Sequence, residues 1–148
     1  MYSDRQRVSE KKDKTYITVT GVFQNVWSAE GWALMRRRRV WRPPTDVYET
    51  DSHIVVRVEV AGVRKKDLQI SLSKRRLAIS GWRRDPAAKL AYQRMEINYG
   101  EFRTEVYLPW SLREDEIEAV YEDGFLSVLL PKRGGTRVPL SVVEENGS

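Results

Sequence analysis

Ala119-Val120-Tyr121-Glu122-Asp123-Gly124-Phe125-Leu126 places apolar residues on both sides of Asp123-Gly124. Asp-Gly between apolar runs is a strong hairpin signal, because the tight turn that suits twisted strands needs positive φ and glycine reaches it at low cost. Ala119 is small enough to let two sheets approach closely, and Leu126 offers a large apolar side chain to a core. Phe125 to Leu130 then runs apolar on both faces, as expected of a strand buried within a sandwich. By itself the segment predicts a β-hairpin.

Working outward, the same periodicity recurs. Ile54, Val56, Val58 and Val60 alternate with Arg57 and Glu59 between His53 and Val60. Leu68, Ile70 and Leu72 repeat the period of two, as do Leu77 with Ile79, and Phe102, Thr104, Val106 with Leu108. The breaks fall at Ala61-Gly62, Ser73-Lys74-Arg75, Gly81, Asp85-Pro86, Tyr99-Gly100, Pro109 and Pro131. Short strands punctuated by turn residues at this interval predict an all-β sandwich. Only Leu112 to Ile117 reads as briefly helical, and there is no internal repeat.

The chain has 148 residues, enough for one domain with a sizeable core. Residues 1–42 carry ten Lys/Arg against four Asp/Glu, while the remainder is near neutral. That break predicts a basic N-terminal arm, 1–42, ahead of a folded domain entered at Pro43-Pro44, with the domain over 43–132 and a tail over 133–148. Residues 1–14 read as disordered. Residues 15–35 read as a sticky arm, with Phe23, Val26, Trp27 and Leu34 near helical spacing and Gly31 weakening any helix by about 1 kcal/mol. No window approaches the ~18 apolar residues of a membrane span. The opening residues lack the apolar core of a signal peptide. Cysteine is absent, which removes disulfide and thiol chemistry and fits a cytoplasmic protein.

Catalytic and metal chemistry find little footing. The single histidine, His53, has no second imidazole or thiol with which to build a zinc site. Gly134-Gly135 lacks the Lys-Ser/Thr of a phosphate loop, and no Gly-x-Ser-x-Gly elbow occurs. Glu114, Asp115, Glu116 and Glu118 read as a solvated face. The expectation is a non-enzyme without metal or cofactor.

The hairpin resembles the Ala-x-x-x-Asn-Gly-Val-Leu signature of the α-crystallin domain, with Ala119, Gly124 and Leu126 retained, Asp123 for Asn and Phe125 for Val. Its surroundings agree: Pro44 to Glu49 ahead of the alternating strand, Gly62-Val63-Arg64-Lys65-Lys66-Asp67-Leu68, Leu77-Ala78-Ile79-Ser80-Gly81, Tyr92 to Glu96, Tyr99-Gly100-Glu101-Phe102 and Leu108-Pro109. In this order they resemble the small heat-shock proteins, in their bacterial and plant branch. The resemblance implies an immunoglobulin-like antiparallel β-sandwich with a flexible N-terminal arm and a short C-terminal tail. It further implies an ATP-independent holdase of the stress response that binds partly unfolded client proteins as a homodimer-based homo-oligomer.

The resemblance also implies sites. Val138-Pro139-Leu140, with Val142 as an alternative register, is similar to the family's I-x-I anchor, whose two apolar side chains dock into a neighbouring dimer. The receiving cleft, between the family's fourth and eighth strands, would be lined by Leu68, Ile70 and Val120. Within the long segment from Gly81 to Tyr99, the stretch Ala88, Lys89, Leu90, Ala91, Tyr92, Gln93 and Arg94 would cross to a partner subunit and pair near Asp46, Val47 and Tyr48. Client binding is expected on the arm, where Phe23, Val26, Trp27, Trp32, Leu34 and Met35 display adaptable apolar surface between charges. Two rivals remain: a CS-domain-like co-chaperone or scaffold, and nucleic-acid binding through Arg36 to Arg39 and Arg42 with Trp32 and Trp41 as stacking platforms. A near-neutral domain argues against the second.

Overall fold

A computed structural model describes residues 15–21 and 39–133. Its strands are β1 (Thr15–Tyr16), β2 (Val19–Gly21), β3 (Thr45–Glu49), β4 (His53–Glu59), β5 (Leu68–Ser73), β6 (Arg76–Arg83), β7 (Gly100–Tyr107), β8 (Glu118–Glu122) and β9 (Phe125–Pro131). They form one sheet ordered β1-β8-β9-β4-β3 and a second ordered β2-β5-β6-β7. Strand pairing is antiparallel except for β2 on β5. The expected helix at Leu112 to Ile117 is a single 3-10 turn, Glu114–Glu116, held by Glu116 accepting from the Arg113 amide at 2.7 Å.

Alternation builds the core as the sequence pattern predicts. Ile54, Val56, Val58, Leu126, Val128 and Leu130 face inward from the first sheet. Ile70, Leu77, Ile79, Phe102 and Val106 meet them from the second. At the β8–β9 hairpin, Asp123 has φ 52° and Gly124 φ 82°. Positive φ at both central residues is what the tight primed turn demands. Gly81 serves a different need, because a Cβ there would lie 2.1 Å from the Asp67 carbonyl oxygen and 2.6 Å from Phe102 Cζ. Only glycine lets β6 pass beneath the turn that enters β5.

The sandwich extends beyond the boundary drawn at Pro43. Trp41 pairs its backbone with β7, donating to the Glu101 carbonyl and accepting from the Arg103 amide, both at 3.0 Å. Its ring packs on Phe102 at a centroid distance of 5.4 Å, with the Arg83 guanidinium 4.3 Å above it. Thr15–Gly21, assigned to the arm by composition, supplies the outermost strand of both sheets. The outer face of β7 also departs from its polar appearance, since Arg103 and Glu105 are buried there as an ion pair with 2.7 Å between Nε and Oε1.

Candidate functional site

The edges of β5 and β8 lie close enough for the seven residues Thr15–Gly21 to pair with both. Leu68 and Ile70 share the inward face of β5, as their spacing predicts, and both are buried. Val120 does not join them. Ala119 is buried and Tyr121 packs against the core, so alternation turns the intervening Val120 to the other face of β8. The β8 wall of the cleft is therefore Ala119 and Tyr121. Tyr121 fixes that wall by donating its hydroxyl to the carbonyl oxygens of Val60 at 3.1 Å and Val63 at 2.8 Å. Burial pushes its phenol pKa above the ordinary value.

The cleft is filled by the chain's own strap. Val19 stands opposite Ile70 and Gly21 opposite Leu72 on β5, while Tyr16 stands opposite Val120 on β8. The Ile17 amide donates to the Ala119 carbonyl at 3.0 Å, and Thr20 Oγ1 donates to the Ile70 carbonyl at 3.2 Å. Ile17 and Val19 are each 8% exposed and belong to the core cluster. Burying those two side chains contributes about 3–6 kcal/mol. Pairing with the β5 and β8 edges adds backbone hydrogen bonds to that burial. Beside it an open cavity of about 570 Å³ is lined by Ile17, Thr18, Leu68 and three cations, Arg64, Lys65 and Lys66.

The opposite flank is bare. β3 ends the first sheet, so one side of its backbone has no partner strand among the described residues. Asp46, Val47 and Tyr48 occupy it, paired on their other side with Arg57, Val56 and Val55. Residues 84–99, between β6 and β7, form no strand. Ala88, Lys89, Ala91, Gln93 and Arg94 are exposed there, Leu90 is fully so, and Tyr92, Met95 and Ile97 add apolar surface. The segment is pinned at its root: Arg83 Nε donates to the Asn98 carbonyl at 2.8 Å, and Arg84 binds Asp67 through Nε at 3.1 Å and Nη2 at 3.3 Å. The Arg84 hydrogen bond holds the Asp67 carboxyl below its ordinary pKa. Further along, Asp85 accepts from Lys89 and from the Tyr92 hydroxyl, and the Lys89 contact lowers the Asp85 pKa.

The expected anchor residues Val138, Leu140 and Val142 lie outside the described residues. So do Phe23, Val26, Trp27, Trp32, Leu34 and Met35, expected to bind clients, and Arg36 to Arg38 of the basic run. His53 Nδ1 shares a hydrogen bond with Ser52 Oγ at 2.6 Å. Among the described residues, no group of three His, Asp or Glu is placed to hold a metal ion. No described helix is long and apolar enough to cross a membrane.

A two-sheet sandwich whose β8–β9 hairpin buries Ala119 and Leu126 around Gly124, with a long segment between β6 and β7, defines the small heat-shock class of α-crystallin domain. The profile of the Hsp20/alpha crystallin family matches residues 46–139, and the chain belongs to that family. It is 37% identical over 99 residues to the probable 15 kDa heat shock protein of Leptospira interrogans, covering 66% of this chain and 75% of the relative. It is 38% identical over 101 residues to heat shock protein HSP.16.4 of Streptococcus thermophilus, covering 66% and 71%. The solved structure of heat shock protein 16.0 from Schizosaccharomyces pombe superposes with a TM-score of 0.57 at 30% identity, covering 70% of this chain and 98% of that one.

Proposed function

We propose that this chain is an ATP-independent holdase that captures partly unfolded proteins and works as a dimer-based oligomer. The observation that carries this reading is a pair of open surfaces in a domain of the Hsp20 family: exposed apolar residues on 84–99, and an edge of β3 that no described strand pairs. An edge strand with free N–H and C=O groups invites an added strand. Ala88 to Arg94 of a second subunit, at Asp46 to Tyr48, would supply one and bury Leu90 and Tyr92. Further assembly uses the tail, with Val138 and Leu140 inserting at Leu68 and Ile70 of a neighbour. Client capture uses Phe23, Val26, Trp27, Trp32, Leu34 and Met35 on the arm. The cysteine-free sequence suits a reducing compartment such as the cytoplasm. Nucleic-acid binding gains nothing from Trp41, whose ring is already committed to Phe102 and Arg83.

The direct test is light scattering from a heat-aggregating protein in buffer without ATP. Near-stoichiometric subunits should suppress aggregation. Unchanged aggregation across the temperature range would overturn the holdase reading and leave the fold assignment standing.

A further inference from the structure

We infer that Asp85 latches the 84–99 segment in a folded-back form, which must open before Ala88 to Arg94 can pair with a second subunit. The inference rests on the strand-exchange part of the proposed function and adds the contact that exchange has to break. Asp85 follows the Arg84 pin directly, and its carboxylate gathers three donors from the residues just beyond it. Oδ1 accepts from the Ala87 amide at 3.2 Å. Oδ2 accepts from the Tyr92 hydroxyl at 3.0 Å and from the Lys89 ammonium. Lys89 Nζ also donates to the Ala87 carbonyl at 3.4 Å, and it lies 5.2 Å from the Tyr92 ring centroid and 5.5 Å from that of Tyr99. Together these contacts close the stretch from Asp85 to Tyr92 on itself.

An added strand needs a different shape. Side chains alternate between the two faces of a strand, so Lys89 and Tyr92, three residues apart, would point to opposite sides. Here both converge on one carboxylate, and Leu90 between them is fully exposed. The folded-back form and an exchanged strand therefore exclude each other over Lys89 to Tyr92. The root of the segment has no such conflict. Arg83 holds the Asn98 carbonyl and Arg84 holds Asp67, all outside the exchanging stretch. The latch can thus open while the segment stays pinned to its own domain. Apparent affinity for a partner falls in proportion to the fraction of subunits that is open. A charge contact at the surface is modest, so the latch tunes assembly and does not abolish it.

Asp85→Ala in the full-length chain removes the latch and keeps every residue of the exchanging stretch. In sedimentation velocity over a dilution series, it should dissociate at a subunit concentration about threefold below wild type, the size of effect that an exposed ion pair supports. Asp115→Ala is the control. It removes the same charge, and an ion pair to Arg113, from the exposed turn at Glu114–Glu116, and should leave dissociation unchanged. A merely structural role for Asp85 predicts the opposite sign, because a loosened segment would pair less well. Dissociation of Asp85→Ala at the wild-type concentration or above, while Leu90→Ser weakens the dimer, overturns the latch and leaves strand exchange standing. Equal gains from Asp85→Ala and Asp115→Ala assign the effect to net charge and also overturn the latch. A dimer indifferent to Leu90→Ser overturns strand exchange and this inference with it.

Discussion

The two flanks of the sandwich handle their strand edges in opposite ways. On one flank β5 and β8 are covered by Thr15–Gly21, and Ile17 and Val19 are drawn into the core. On the other, no described strand pairs with the outer edge of β3, and the 84–99 segment exposes Leu90, Met95 and Ile97. The covered flank hides apolar surface within one chain, so its residues serve subunit stability first. The other flank exposes apolar surface, and the proposed function assigns its residues to assembly with a second chain. Substitutions should separate the two.

The largest effect is expected under the strap. Ile70 is fully buried between Leu68, Val19 and the core, and Ile70→Ala should cost about 2–5 kcal/mol in chemical denaturation. A loss below 1 kcal/mol would mean that the strap rearranges to refill the space, and that the covered flank is looser than its burial implies. Tyr121→Phe is the next step down. It removes the hydroxyl shared by the Val60 and Val63 carbonyls without changing shape, at a cost of about 1–3 kcal/mol. An unchanged midpoint would show that water replaces the hydroxyl and that the β8 wall is not sealed.

Much of the architecture was readable in the sequence because clean period-two runs such as Ile54 to Val60 admit one burial phase. The hairpin at Asp123-Gly124 was readable because its turn demands those residue types. The inward face of β8 was not, since Ala119, Val120 and Tyr121 are consecutive and apolar, and a shift of one residue exchanges the two faces. The strap was missed because elements of two and three residues are too short to show a period. Its trace lay in composition: Thr15, Tyr16, Ile17, Val19 and Thr20 are all residue types that favour strands. The Arg103–Glu105 pair carried no signal, because polar residues at alternate positions look the same whether solvated or buried against each other.

On the bare flank, Leu90→Ser should leave the subunit's denaturation midpoint within about 0.5 kcal/mol of wild type, because the side chain touches little within its own chain. Dimer dissociation should rise by about tenfold or more, since burying a leucine contributes about 1.5–3 kcal/mol and each 1.4 kcal/mol is a factor of ten. Analytical ultracentrifugation over a dilution series reads this directly. A destabilised subunit with unchanged dimerisation would reverse the assignment of the two flanks.

The smallest effect lies at the link between the flanks. Asp67 ends the turn that enters β5, and Arg84 begins the exposed 84–99 segment; their ion pair ties one flank to the other. The Arg84 hydrogen bond lowers the Asp67 pKa below 3.8 in the folded state. A depressed carboxylate stabilises the fold above its unfolded pKa, and the contribution is lost as pH falls through the lower folded value. Wild type and Asp67→Asn should therefore differ modestly in stability at pH 6 and converge at pH 2. Salt should narrow the difference at pH 6, because the pair is near the surface. A gap that persists unchanged from pH 6 to pH 2 would assign the effect to the shape of the Lys65–Asp67 turn. The charge would then play no part in joining the covered flank to the bare one.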